Sequence, residues 1–343
     1  MKRFKAAKDI KVGTIGYGGA FNMGQSHLNE MKKAGMTPVA VCDVDAERLK
    51  VAEAHFPGIE TYTSIATMLK KSDVNLIAII TPHNLHAPQA VQCLNAGRHV
   101  VCEKPFAITT AECDRMIAAA KKNNAMISTY HNRHWDGCIL QAVEVIKSGA
   151  IGDIIRIEAH MGGYGMPGPW WRSSKSISGG ILYDWGVHLL EYSLQLIDAP
   201  IAEVSGFAKI GHWAPKCSWK QDTNEDEAMA VVRFKSGQWL QLNISSIDSN
   251  PKGDRGMLEI TGTEGTYMMC GTKVVTHKGK ETVTTQMPDP PSEGWRFYQN
   301  VADHLVKGTK LVITGEWARR PIHILDLANQ SAKKGTALKA KYA

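Results

Sequence analysis

Residues 11–24 read KVGTIGYGGAFNMG, a short β-branched run followed by a turn rich in glycine. Glycines in such a turn let backbone N–H groups approach a pyrophosphate, and the helix that follows adds the positive end of its dipole. The turn departs from the G-x-G-x-x-G fingerprint because Phe21 stands at the third glycine position and Gly24 comes three residues later. A tight turn without a ligand is the alternative for these residues alone. As a dinucleotide site, the turn would contribute Gly16, Gly18, Gly19, Ala20, Phe21 and Asn22.

An acidic residue, Asp43, follows the second β-branched run at residues 39–42. An acid at about this distance from a glycine turn accepts hydrogen bonds from the adenosine ribose hydroxyls and disfavours a 2′-phosphate. No arginine occurs in residues 44–47, so the sequence favours NAD over NADP as the cofactor. The alternative is that Asp43 caps the helix that follows.

The first 130 residues alternate short apolar runs with helical segments, which is typical of a doubly wound parallel sheet. The runs are residues 11–15, 39–42, 74–80, 99–102 and 125–129. Thr109 and Glu112 form a capping box at one helix start, and another helix begins near Pro88 and is followed by Gly97. We therefore predict an NAD-binding Rossmann domain at residues 1–130.

The second half changes to long alternating strands after a helix that ends near residues 147–149. The predicted strands are residues 154–160, 202–211, 228–234, 238–247 and 257–261, with a hairpin turn at Ser236-Gly237. We predict that residues 131–343 form an α+β domain for substrate binding and oligomerisation, built on a large open, mainly antiparallel sheet. Covering the free face of such a sheet with a second copy would give a homodimer or homotetramer, so the whole chain is expected to be an α/β protein that self-associates.

The composition restricts the classes of partner. Much of the net charge of +7 lies near the two ends of the chain, and no basic stretch carries interleaved aromatic residues, so we expect no nucleic-acid binding. The seven cysteines include no Cys-x-x-Cys pair, which favours reduced thiols in the cytoplasm. No apolar stretch approaches membrane-spanning length and the basic first residues lack a signal-peptide core, so we expect a soluble protein.

Polar loops follow the predicted strands at residues 74–80 and 125–129. Histidine pairs in them, at 83 and 86 and at 131 and 134, could bind a metal, but no acid or cysteine accompanies them. We predict no metal site and expect both pairs to face the ligand crevice as hydrogen-bonding groups. From these loops we expect cofactor contacts by Thr81, Pro82, Asn84, His86 and Arg133, and a substrate contact by His134.

The tripeptide Glu103-Lys104-Pro105 follows the run at residues 99–102. Ligands of open α/β sheets bind beyond the carboxyl ends of the strands, so this position predicts a lysine amine beside the nicotinamide. An ordinary surface loop is the alternative. Because proline makes the cis form inexpensive, a cis Lys104-Pro105 bond could help to aim the lysine.

Residues 178–191, SGGILYDWGVHLLE, contain an acid and a histidine four positions apart. On a helix, Asp184 and His188 would share a face, and histidine suits proton transfer near neutral pH. A structural contact between the two is the alternative. Upstream, the segment GGYGMPGPWWR at residues 162–172 offers Tyr164 and Trp171 as platforms for sugar faces, and Arg172 could reach the cofactor or substrate. The segment could equally be a packing anchor.

Together, these motifs resemble the glucose-fructose oxidoreductase / inositol dehydrogenase (Gfo/Idh/MocA) family over nearly the whole chain. The most specific parts are Glu103-Lys104-Pro105 and the Gly-Gly-x-Leu-x-Asp-x-Gly-x-His segment that begins at Gly179. The resemblance implies a Rossmann domain followed by an open-sheet domain, with Glu103 and Lys104 beside the nicotinamide and Lys104, Asp184 and His188 as the catalytic set. The longer glycine turn departs from the family pattern.

The implied reaction is hydride transfer between NAD and a secondary alcohol of a sugar, sugar derivative or cyclitol. In it, Lys104, His134, Tyr164, Trp171, Asp184 and His188 would contact the substrate. One alternative is a redox glycosidase that oxidises a sugar transiently, eliminates the aglycone and returns the hydride. Another is an NAD-binding regulator without turnover.

Overall fold

The structure is a computed structural model that describes residues 3–19, 21–249 and 257–342. The chain forms two compact units, Met1–Asn132 with Trp295–Arg319, and Arg133–Gly294 with Arg320–Ala343. The sequence placed everything after residue 130 in the second domain, and the structure differs because a late segment returns to the first unit. Phe297 and Tyr298 on this segment are buried and contact the ring of Tyr130 with centroid distances of 5.0 and 5.6 Å.

The described part of the first unit contains a six-stranded parallel sheet in the order β3-β2-β1-β4-β5-β6, which is the order of a Rossmann fold. The strands are β1 (Lys11–Ile15), β2 (Thr37–Cys42), β3 (Glu60–Tyr62), β4 (Leu76–Ile79), β5 (His99–Cys102) and β6 (Ile127–Thr129). Every residue of β4 and β5 is buried, as expected for central strands that are covered on both faces. The predicted Rossmann domain is confirmed.

The helices of this unit follow the strands. They are α1 (Met23–Lys33), α2 (Ala46–His55), α3 (Ile65–Lys71), α4 (His83–Asn95), α5 (Thr110–Lys122) and α9 (Arg296–Lys307). The capping box of Thr109 and Glu112 is present at the start of α5, as predicted. The predicted start of α4 near Pro88 is wrong, because the helix begins five residues earlier, at His83, and accommodates Pro88 inside it.

The second unit contains a nine-stranded sheet in the described residues, in the order β14-β13-β12-β11-β7-β10-β9-β8-β15. The strands are β7 (Ile154–Gly162), β8 (Ile201–Lys209), β9 (Glu227–Phe234), β10 (Trp239–Ser245), β11 (Met257–Gly262), β12 (Gly265–Met268), β13 (Lys273–Lys278), β14 (Glu281–Gln286) and β15 (Leu338–Lys339). Only the pairing of β7 with β10 is parallel among these described strands. The mainly antiparallel sheet is therefore confirmed.

The helices of this unit are α6 (Gly137–Lys147), α7 (Lys175–Ser178), α8 (Gly186–Leu196) and α10 (Gly315–Lys334), of which α10 begins in the first unit. Helix α8 is buried from Gly186 to Leu194 and contacts β7 and β10. Alternate residues of β9 and β11 are buried, so one face of the sheet carries the less buried side chains. Within the described residues, no helix combines the length and apolarity needed to cross a membrane.

Candidate functional site

The glycine turn brings backbone close to backbone at the carboxyl end of β1. Gly16 has a φ of +87°, and a Cβ atom on it would lie 2.5 Å from the carbonyl oxygen of Ile80. A Cβ on Gly24 would lie 2.8 Å from the Cα of Tyr17, so the late glycine allows α1 to pack against the turn. This is the packing role of the third fingerprint glycine. Ala20, which was expected to contact the cofactor, lies outside the described residues.

Asp43 faces the turn from the end of β2. Its Oδ2 accepts a hydrogen bond of 2.7 Å from the backbone N–H of Tyr17, and its Oδ1 accepts one of 2.9 Å from Asp45. Asp45 caps α2 by accepting from the N–H of Glu47, so the helix cap is Asp45 and not Asp43. Each oxygen of Asp43 keeps acceptor capacity for a ribose hydroxyl, and the carboxylate and glycine turn together fit the adenosine half of NAD.

Arg48 is a residue of this region that the sequence analysis missed. A side chain on Gly19 would overlap its guanidinium, which therefore lies directly over the glycine turn. Its Nε lies 3.9 Å from Oδ2 of Asp45, and the side chain is 40% exposed. The absence of arginine from residues 44–47 was the basis for favouring NAD, but Arg48 stands one position further and folds back from α2. The sequence did contain this signal, because Arg48 follows Asp45 by three positions and a helix that starts there can direct the arginine back toward the glycine turn.

The histidines after β4, at the start of α4, do not have the surroundings expected of them. His86 is fully buried, and its Nδ1 and Nε2 each lie 2.8 Å from a main-chain oxygen, of Pro105 and Thr81 respectively. Burial lowers the pKa of His86. His83 is also buried, so the expectation that this pair faces the crevice is wrong, and His86 instead connects the loop after β4 with the loop after β5.

The other expected cofactor residues of this loop occupy different surroundings. The Thr81 hydroxyl donates a 2.7 Å hydrogen bond to Oε1 of Gln89. Pro82 occupies the N-cap position of α4, and Asn84 is exposed in its first turn. Their contact with NAD stays a prediction.

Glu103 and Lys104 follow β5 directly, and the Lys104-Pro105 bond is cis, as predicted. Oε2 of Glu103 accepts a 2.8 Å hydrogen bond from the Lys104 backbone N–H, and Oε1 lies 3.0 Å from Nε2 of His27. Burial raises the pKa of Glu103, but the hydrogen bond with His27 and the charge of Lys104 outweigh it and leave the pKa lowered. Glu103 is therefore an anion at neutral pH, held at the base of the lysine loop.

In the second unit, a strained turn at Gly179-Gly180 precedes the acid and histidine of the sequence motif. The two glycines have φ values of +94° and +122°. A Cβ on Gly180 would lie 2.7 Å from Oε2 of Glu225. This buried carboxylate also accepts a 3.0 Å hydrogen bond from the N–H of Ile181 and pairs with Lys175. Only glycine fits both the backbone conformation and the space.

Asp184 and His188 lie on either side of the start of α8. Asp184 follows the 3₁₀ turn Ile181–Tyr183 and precedes the helix, so the expectation that both residues lie on one helix is wrong. The Asp184 side chain is 40% exposed, and its Oδ1 lies 4.0 Å from Nη1 of Arg172. His188 is 6% exposed, with its ring centroid 5.6 Å from that of Trp185. An acid, an arginine and an imidazole thus lie around one helix start.

His134 and Arg133 have partners within the second unit. Nδ1 of His134 lies 2.5 Å from Oε1 of the buried Glu191. Arg133 donates a 2.9 Å hydrogen bond to Oδ2 of Asp136 and stacks at 5.1 Å over the ring of Trp185. His131, in the first unit, is 1% exposed, so it does not face a crevice as expected. Substrate contact by His134 and cofactor contact by Arg133 stay predictions.

The aromatic segment contains both packed and exposed side chains. Tyr164 is 60% exposed, although its ring packs 5.4 Å from that of Trp213. Arg172 lies over the rings of Trp170 and Trp171 at 5.2 and 5.1 Å. The segment is therefore held by packing of the Tyr164 ring on Trp213, and part of its aromatic surface stays exposed.

Metal ligation has no visible candidate in the described residues, where no three His, Cys, Asp or Glu side chains are grouped for it. All seven cysteines are free thiols.

Comparisons with known proteins assign both units. Residues 10–131 match the family model described as the oxidoreductase family GFO_IDH_MocA, NAD-binding Rossmann fold. Residues 139–268 match the GFO/IDH/MocA C-terminal domain. The two matches together cover more than half of the chain, and they agree with the NAD-type turn and ribose acid described above. The first unit is an NAD-binding domain.

The individual relatives match this chain at low identity or over only part of its length. An uncharacterized oxidoreductase of Schizosaccharomyces pombe is 36% identical over 151 residues, which are 43% of this chain and 41% of that protein, so the match spans less than half of the relative. The scyllo-inositol 2-dehydrogenase (NADP(+)) IolW of Bacillus subtilis is 22% identical over 97% of both chains. An NAD-binding protein from Listeria innocua has a solved structure with a TM-score of 0.81, 27% identity and 97% coverage of both chains.

Proposed function

Because the chain belongs to the Gfo/Idh/MocA oxidoreductase family, we propose that it transfers a hydride between NAD and a secondary alcohol of a sugar, sugar derivative or cyclitol. The observation that carries the proposal is the ionised Glu103 that anchors the Lys104 loop at the carboxyl end of β5 in an NAD-binding sheet. Ligands of such sheets bind at this edge. The name of the Bacillus relative supports a cyclitol or related polyol as the substrate class.

In the proposed reaction, bound NAD would supply the hydride acceptor for the carbinol carbon. His188 accepts the hydroxyl proton, since imidazole is suited to proton transfer near neutral pH. Lys104 stabilises the developing alkoxide by a charge-assisted hydrogen bond. Asp184, whose carboxylate is 40% exposed beside Arg172, orients the hydroxyl or the imidazole. Lys104 belongs to the first unit, and Asp184 and His188 belong to the second.

The test is the appearance of NADH absorbance with a panel of sugars, cyclitols and glycosides. We expect Lys104→Ala and His188→Ala each to lower kcat by about a hundredfold or more. NADH fluorescence should show that Lys104→Ala still binds the cofactor. Lys122→Ala, which removes an exposed lysine of the same unit, is the control and should keep full activity. Normal rates in both active-site variants would exclude the assigned roles.

A second candidate, the redox glycosidase, is favoured by the uncovered Tyr164 and Trp170, which are 60% and 40% exposed. Aromatic surface of this kind can hold an aglycone beside the reacting sugar. Release of an aglycone with no net NADH would identify this reaction. Binding of NAD without turnover of any compound in the panel would instead support the regulator.

We also propose that the uncovered face of the second sheet joins copies of the chain into a homodimer or homotetramer. Phe207 and Trp239 on this face are 55% and 41% exposed, and their cross-strand neighbours are Met229 and Arg233. Such surface is typically covered in an assembly. Sedimentation equilibrium of the wild type and of Phe207→Glu tests this, and a wild-type monomer at micromolar concentration would exclude it.

A further inference from the structure

A buried chain of hydrogen bonds runs from the returning helix α9 to the base of the lysine loop. The Tyr298 hydroxyl lies 2.5 Å from Nδ1 of His27, and Nε2 of His27 lies 3.0 Å from Oε1 of Glu103. The other carboxylate oxygen accepts from the backbone N–H of Lys104 at 2.8 Å. Tyr298 and His27 are each 1% exposed, so neither is in reach of bulk water.

The partners fix where the protons of this chain lie. Glu103 has a lowered pKa and is ionised, so it can only accept, and Nε2 of His27 must therefore carry a proton. Burial raises the pKa of Tyr298 well above its ordinary value, so its hydroxyl keeps its proton and lies within hydrogen-bond distance of Nδ1. Each ring nitrogen of His27 therefore has a polar partner within hydrogen-bond distance, Tyr298 on one side and Glu103 on the other.

We infer that Tyr298 and His27 are positioning residues, which hold the Glu103 carboxylate in one orientation and thereby hold the Lys104 loop in place. This inference rests on the proposed function of Lys104. The loop leaves β5 through Glu103, whose carboxylate bonds the N–H of the next residue. Placement errors of about 1 Å at a reacting group can cost about a hundredfold in rate. A rotated Glu103 would release the bond that begins the loop.

The aromatic surroundings provide a matched control. Tyr130 is 4% exposed, its ring lies 4.2 Å from that of His27, and its hydroxyl donates a 2.7 Å hydrogen bond to Glu30. Tyr130→Phe therefore removes a buried hydroxyl from the same cluster without removing a bond of the chain that leads to Glu103. A general packing role predicts that Tyr298→Phe and Tyr130→Phe have the same effect on turnover.

The kinetic test compares these two variants. We expect Tyr298→Phe to lower kcat about tenfold with little change in the dissociation constant of NAD, and Tyr130→Phe to leave kcat within about twofold. In a Glu103→Gln background the further effect of Tyr298→Phe should vanish, because Tyr298 acts through that carboxylate. His27→Gln, which keeps a donor near Nε2, should retain more activity than His27→Leu. Equal effects of the two tyrosine variants on kcat would overturn the inference.

A second measurement is independent of any substrate. The amide of Lys104 donates to Glu103, so Tyr298→Phe should speed its hydrogen exchange about tenfold or more, and Tyr130→Phe should not. Unchanged exchange in Tyr298→Phe would overturn the inference even if the enzyme is active. If the Lys104 amide exchanges faster in Tyr298→Phe but the protein oxidises no alcohol, the link between Tyr298 and the lysine loop stands and the proposed function is excluded instead.

Discussion

Lowering the pH should destabilise the first unit through His99, the first residue of β5. This side chain is 5% exposed, and its Nδ1 accepts a 2.9 Å hydrogen bond from the N–H of Met126. Burial lowers the pKa of His99 to about 4, with a smaller contribution from His304. The hydrogen bond also disfavours protonation of His99, because a protonated Nδ1 could no longer accept from the N–H of Met126.

The size of the effect follows from the difference between the folded and unfolded pKa values. The unfolded value is about 6.5, and one unit corresponds to about 1.4 kcal/mol, so the full effect is about 3 kcal/mol. Above pH 6.5 both states are neutral at this site and the stability contribution is complete. As the pH falls toward 4, the unfolded chain binds the proton first and the contribution is lost. Between pH 7 and pH 5 the loss is about 2 kcal/mol.

Urea denaturation at pH 7 and pH 5 measures this loss in wild type and in His99→Phe. The variant should be less stable at pH 7 by about 1 to 3 kcal/mol, because the buried N–H of Met126 loses its acceptor. Its further loss between pH 7 and pH 5 should be about 2 kcal/mol smaller than that of the wild type. Met116→Ala, which opens the same core without removing a titratable group, is the control. If His99→Phe and Met116→Ala lose equal stability on acidification, His99 is not the cause.

Three further outcomes test residues of the two units. Gly180→Ala should lower stability by about 2 kcal/mol and reduce kcat, because alanine at a φ of +122° would press on Glu225, and thermal unfolding with turnover measures both. Asp43→Asn should weaken NADH binding about tenfold in a fluorescence titration, because its charge-assisted hydrogen bonds to the ribose are lost. Asp43→Ser should increase the affinity for NADP. Adding Arg48→Gln should cancel that gain if the guanidinium over Gly19 holds the 2′-phosphate. A gain in NADP affinity that persists in the double variant would show that Arg48 does not select the cofactor.

The sequence predicted best the elements whose signals are local. Strands β1 and β5 begin and end where their apolar runs do. The capping box of Thr109 and Glu112 predicts the start of α5 directly. The acid after β2 was also placed correctly beside the turn, because parallel strands bring their carboxyl ends to one edge. Strand β3 was missed, since three residues, of which none is fully buried, leave no periodic pattern.

The histidines show where local reasoning fails. The sequence places His83, His86 and His131 in polar loops, which predicts exposure. In the structure His83 and His86 lie at the start of α4, and the three side chains are 2%, 0% and 1% exposed. His86 is buried because the loop after β5 folds over it and brings the carbonyl of Pro105 to its Nδ1. The sequence separation of these partners is 19 residues, and no periodicity connects them. Burial of a polar side chain is decided by such tertiary partners.

The same reason explains why the sequence did not predict the return of residues 295–319 to the first unit. His27 and Tyr298 are separated by 271 positions, yet they share a hydrogen bond inside the first unit. The chain must therefore complete most of the second unit before it returns with α9 to cover His27 and Tyr130. A composition change marks only where the chain first leaves the Rossmann sheet. The lysine loop is thus connected to a residue of the returning segment, so its geometry depends on residues beyond 1–130.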